Sequence, residues 1–100
     1  LAGEDSDELD RQASLALDDA GDPEILPVEV LGDLPLAVRR RVVLHWCRRR
    51  ARGVEISSNR IEEILRVAEG KGRERRVEIG SGWFVQVSRT GLRLTLPGPG

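Results

Sequence analysis

The stretch Arg76–Leu96, RVEIGSGWFVQVSRTGLRLTL, changes the period of the chain. Apolar and polar residues alternate through it, and glycine-containing breaks fall at Gly80–Gly82 and Arg89–Gly91. A period of two with such breaks predicts antiparallel strands joined by tight turns. We read a three-stranded meander over about 76–79, 83–88 and 92–96. One face then carries Val77, Ile79, Trp83, Val85, Val87, Leu92, Leu94 and Leu96. An apolar sheet face needs a cover, and the segments upstream supply it.

Those segments read as helices. In SSNRIEEILRVAEG, Ser57, Ser58 or Asn59 can cap the first turn, and Gly70 ends the helix. Ile61, Ile64, Leu65 and Ala68 form its inner stripe. A longer helix is expected from about Pro35 to Arg50, with proline suited to the first turn. At about 100° per residue, Leu36, Val42, Val43, Trp46 and Cys47 share one face. Arg40, Arg41, His45 and Arg48 lie away from that face. Arg39 and Arg50 fall on the apolar side, so Arg39 must snorkel or meet a carboxylate. ILPVEVLGDL (25–34) gives a short helix over about Val28–Gly32, with a strand as the other option. Residues 4–20 form an Ala-rich helix, opened by Asp5 and Glu8 as a capping box and stopped by Gly21 and Pro23. The fold class is therefore α+β: a helical subdomain of three to four helices followed by the meander packed on it.

A chain of 100 residues suits one small domain with a thin core. A single cysteine, Cys47, excludes an internal disulfide and favours a reducing compartment. No apolar run approaches the roughly 20 residues of a membrane span. No signal-peptide pattern opens the chain, and its start at Leu1 points to a piece of a longer protein.

The net charge of −1 conceals a division. Residues 1–33 carry eleven acids and one base, whereas residues 34–100 carry fifteen bases and six acids. LPLAVRRRVVLHWCRRRARG (34–53) alone holds seven arginines and no acid. Such asymmetry speaks of partners: the basic part can hold an acidic ligand such as RNA, or the acidic segment can neutralise it within the chain.

Catalytic constellations are not visible. There is one histidine, His45, which reads as a surface side chain, and Cys47 reads as core. GKG at 70–72 lacks the spacing of a phosphate loop. The cations are the positive signal: Arg40, Arg41, Arg48, Arg49, Arg50 and Arg52 on or after the long helix, and Lys71, Arg73, Arg75 and Arg76 before the sheet. Arginine suits bidentate phosphate contacts. By alternation Phe84 points off the core face, near Arg76, Gln86 and Arg93, where it can stack an unpaired base or pack against the acidic helix.

LGDLPLAVRRRVVLHWCRR (31–49) resembles the L-x-x-L-P-x-A-x-R-R-R-x-L-x-x-W-L pattern that follows the catalytic domain in bacterial tRNA(Ile)-lysidine synthases. EDSDELDRQA (4–13) is similar to the acidic connecting helix of those enzymes, and residues 57–94 resemble the rest of the module. Cys47 stands where the pattern has Leu, and Arg60 where a His is common. The resemblance implies an acidic connecting helix over 1–22, a tRNA-recognition domain over 25–96 and a tail over 97–100. It implies a noncatalytic substrate-recognition module for an isoleucine tRNA with a CAU anticodon. In the family, ATP activates the wobble cytidine and lysine is joined to it. That chemistry belongs to an N-terminal ATP-pyrophosphatase domain with an SGGxDS loop, a motif this sequence lacks. No cofactor is expected in this chain; ATP and Mg belong to the catalytic domain, itself an expected partner. A cytoplasmic location follows, with no membrane partner; a homodimer is left open. The expected RNA-binding residues are Arg40, Arg41, Arg48, Arg49, Arg52, Arg60, Lys71, Arg73, Arg76 and Phe84. From the residues alone, a small DNA-binding helical module (Asn59 and Arg60 being its faint signal) and a basic protein-interaction module also stay open.

Overall fold

Residues 76–96 do form three antiparallel strands, and a fourth strand joins them from far upstream. The computed structural model describes residues 2–21, 23–51, 53–70, 75–80 and 82–96, with side chains from Asp7 onward. In chain order the elements are α1 (Ala2–Asp19), β1 (Ile25–Pro27), α2 (Val28–Gly32), α3 (Leu36–Arg50), α4 (Ser58–Glu69), β2 (Arg75–Gly80), β3 (Trp83–Val87) and β4 (Gly91–Thr95). The sheet runs β1-β4-β3-β2, every pair antiparallel. The fold is α+β as expected, but with four strands rather than three. Three residues are too few to display a period, so in 25–34 a strand stood only as the alternative to the short helix; the structure has both, β1 and then α2.

Pairing along β1 sets Ile25 opposite Arg93, Leu26 opposite Leu92 and Pro27 opposite Gly91. A proline, lacking an N–H, is tolerated here because β1 is an edge strand. Val28 N–H carries the contact on by donating to the Thr90 carbonyl at 3.1 Å. Gly91 is required by this approach: a Cβ there would lie 2.5 Å from the Leu26 carbonyl oxygen. At the other hairpin, Gly80 (φ 121°) and Gly82 (φ 82°) adopt the left-handed region, and the β2–β3 register shifts between Glu78 and Gly80.

The core gathers one side of every layer. Val77, Ile79, Val85, Val87 and Leu92 are buried on the inner sheet face, as the alternation predicts. Leu96 is 56% exposed because it lies beyond the end of β4. α4 packs on β2 and β3 through the buried Ile61, Ile64 and Leu65, and its N-terminus is capped by Ser57, whose Oγ accepts from Arg60 N–H at 3.3 Å. From α3, Val42, Val43, Trp46 and Cys47 are buried. Leu36 is not, at 47% exposed: it opens the helix, ahead of the packed seam, and Val38 takes the inward position. Pro35 is the residue before α3, which begins at Leu36, one place after the expected start. α1 covers α3 through Ala13 and Leu17, both fully buried, with Leu9 and Ala16 at the margin. It begins at Ala2, so Asp5 lies inside the helix rather than capping it, and Glu8 pairs with Arg11 at 2.8 Å.

At the centre lies Trp46, with no exposed surface. Its indole N–H, which needs a partner when buried, donates to the Pro23 carbonyl at 2.8 Å. Arg50 Nε donates to the same oxygen, also at 2.8 Å. Cys47 beside it is a core thiol, pushed up to about 12 by burial, and so is protonated at neutral pH.

Trp46→Ala is expected to cost about 3–5 kcal/mol, and Trp46→Phe, which keeps most of the volume, distinctly less. Urea melts of both variants check this; equal midpoints for Trp46→Ala and wild type would mean that Trp46 is not a core anchor. Gly91→Ala must push β1 off β4 and is expected to cost about 1–3 kcal/mol. Gly32→Ala, where a Cβ meets nothing within 4 Å, is the control and should leave the melting temperature unchanged or raised.

Candidate nucleic-acid interface

Seven arginines and no acid in one stretch raise the question of what neutralises them. For most of those on α3 the answer lies within the chain. Asp10 of α1 sits between two side chains of α3: its Oδ1 is 3.1 Å from Arg41 Nε and 3.1 Å from His45 Nε2. One helix end further along, Asp18 Oδ1 is 3.2 Å from Arg49 Nη1. Arg40 pairs with Glu62 of α4. Arg39 resolves its apolar position in two ways at once, donating from Nε to the Leu34 carbonyl at 2.7 Å and lying 3.5 Å from Glu69 Oε1.

The acids are placed by the same helical period that packs α1. Asp10, Ala13, Leu17 and Asp18 recur at spacings of three, four and one, so the two aspartates flank the buried stripe. His45, expected as a plain surface side chain, is instead largely covered and bonded to Asp10. Partly exposed pairs of this kind are each worth about 0–1 kcal/mol, so they orient α1 on α3 more than they hold the fold together.

The expected RNA-binding residues therefore fall into distinct places. Arg40, Arg41 and Arg49 tie α3 to other helices. Arg48 is exposed and has no acidic partner among the described residues. It borders a groove of about 330 Å³ lined by Arg40, Arg41, Leu44, Ser58 and Asp10. Arg60, in the first turn of α4, makes a local pair with Glu63 at 3.3 Å. Arg52, Lys71 and Arg73 lie outside the described residues.

Arg76 and Phe84 meet on the outer face of the sheet, away from the helices. The Arg76 guanidinium lies over the Phe84 ring, 5.4 Å from its centroid. Phe84 is not part of the core cluster, nor packed against it. Register explains the grouping. Arg76 pairs with Gln86 and Gln86 with Arg93, so three polar side chains cross β2, β3 and β4 in one row beside Phe84. The expected list omitted Arg93 and Gln86, although the alternation that pointed Phe84 outward points them outward as well. Among the described residues no group of His, Cys, Asp and Glu is arranged to hold a metal ion, and no helix is long and apolar enough to cross a membrane.

Comparison with curated proteins and with solved structures gives no match. The family model described as the TilS substrate binding domain matches residues 26–94, from β1 to β4 and over more than half of the chain, and the chain belongs to that family.

Proposed function

We propose that the chain is the tRNA-recognition module of a tRNA(Ile)-lysidine synthase, binding the isoleucine tRNA with a CAU anticodon in the cytoplasm. The observation that carries this is the match of residues 26–94 to a domain described as substrate-binding. The activation of cytidine with ATP and Mg, and its joining to lysine, belongs in this reading to the N-terminal ATP-pyrophosphatase domain. What these residues do is bind and orient the RNA.

Arg48, Arg60, Arg76 and Phe84 are the described residues that face it, and Arg52, Lys71 and Arg73 extend the basic set. Among the described residues Arg48 has no acid to release first, and the local Arg60–Glu63 pair holds no two elements together. Arg40, Arg41 and Arg49 serve chiefly to seat α1 and α4, because moving them to a phosphate means undoing contacts between helices. A basic protein-interaction module is the second reading, and one observation speaks to it: the basic side of α3 does meet an acidic surface, but that surface is α1 of the same chain.

The test is a salt series with a tRNA(Ile) transcript, using the chain carrying both Arg48→Glu and Arg60→Glu. Neither side chain is buried, so the melting temperature should hold. Affinity should fall, and the slope of log K against log[salt] should flatten by about 1–2 units if each arginine neutralises one phosphate. Wild-type affinity and slope in a folded double variant would remove these residues from the interface.

A further inference from the structure

Phe84 is the one phenylalanine of the chain, and it is placed against the usual preference. A large apolar ring on the open face of a sheet gains nothing from the core, and Phe84 has no part in the core cluster. Its surroundings are ordered by strand pairing. Directly opposite lie Glu78 on β2 and Thr95 on β4. On the two diagonals lie Arg76 and Arg93, with Gln86 between them on β3 itself. Arg76 already lies over the ring, at 5.4 Å from its centroid. Ile25, paired with Arg93, continues the row onto the edge strand and is itself exposed.

This is a composition with a chemical meaning. An aromatic ring and a guanidinium plane are both surfaces on which a nucleobase stacks. A glutamine amide offers donor and acceptor together, suited to a base edge. Two arginines can take the flanking phosphates, while Glu78, the one carboxylate among the described residues of this face, repels them from its own side. Among the described residues the face carries two cations against one anion. A paired helix of RNA hides its base faces, so only an unpaired nucleotide uses the ring.

We propose that the outer face of β2, β3 and β4 is a stacking site for an unpaired nucleotide of the bound RNA, with Phe84 and Arg76 as the platform, Gln86 at the base edge and Arg93 at a phosphate. The site rests on the tRNA-binding reading and adds to it which chemical feature of the RNA is held by the sheet.

The test uses the whole chain with two probes: the tRNA(Ile) transcript, and a blunt RNA duplex with a matching number of phosphates and no unpaired base. Phe84→Leu keeps apolar bulk on a solvent face and should melt at the wild-type temperature. It is expected to weaken tRNA binding about tenfold and leave duplex binding and the salt slope unchanged. Arg93→Gln, at an exposed position, should weaken tRNA binding too. Arg48→Glu is the contrast and should weaken both probes. Wild-type tRNA affinity in a folded Phe84→Leu chain overturns the stacking site while leaving the tRNA-binding reading intact. Equal losses on both probes also overturn it, since the ring would then act through the fold. A wild-type chain that binds neither RNA overturns the tRNA-binding reading, and the site with it.

Discussion

One backbone carbonyl organises this molecule. The Pro23 oxygen lies between α1 and β1 and accepts from two side chains of α3, the Trp46 indole and the Arg50 guanidinium. Both donors are compelled to find it. A buried indole N–H left without a partner costs about 1–3 kcal/mol, and Arg50 sits on the apolar side of its helix. Both lone pairs of the carbonyl are thereby used. Fixing that one point of the chain has two consequences. Behind it, α1 is returned along α3, which brings Asp10 and Asp18 to their cations. Ahead of it, Leu26 is delivered to the edge of the sheet, where Gly91 leaves room for the approach.

From this follows the way the chain handles its charge. An acidic first third and a basic remainder are not two independent signals. α1 is laid onto α3 by apolar contacts, and its aspartates then meet Arg41, His45 and Arg49. The density of arginine in residues 34–53 is in large part internal chemistry. Arg48 on α3 and the arginines of the sheet are left on a different footing: they are exposed and form no ion pair among the described residues. The family match ends at residue 26 on this side, so the helix that tempers α3 lies outside the matched region while packing against it.

Much of this was legible in the residues, for identifiable reasons. The inner face of β2–β4 was legible because a period of two survives across the two breaks, and the Ser57 cap because its chemistry is local. The outward direction of Phe84 came from the same period. β1 was legible only as the alternative to a helix in 25–34, since three residues cannot show alternation. Leu36 misled because a helical projection assigns faces but does not say where along a helix the packing begins. The roles of Arg41 and Arg49 lay beyond reach for a different reason. Their aspartates sit 31 residues away in sequence, and the Pro23 anchor together with the packing of α1 on α3 makes that distance short. Charge counting left both outcomes open, RNA or self-neutralisation; the geometry shows self-neutralisation where α3 meets α1, and the cations of the sheet face are those our proposal gives to RNA.

The most direct measurement of that division is the set of arginine side-chain N–H signals in a nitrogen–proton NMR spectrum, followed while tRNA(Ile) is added. With the arginines of α3 held by α1 and the sheet face open, the signals of Arg48, Arg76 and Arg93 should move with tRNA, and those of Arg41 and Arg49 should stay in place. Movement of Arg41 and Arg49 with Arg76 and Arg93 unaffected would contradict the account, placing the RNA on α3 and leaving the acidic helix as a cover that it displaces.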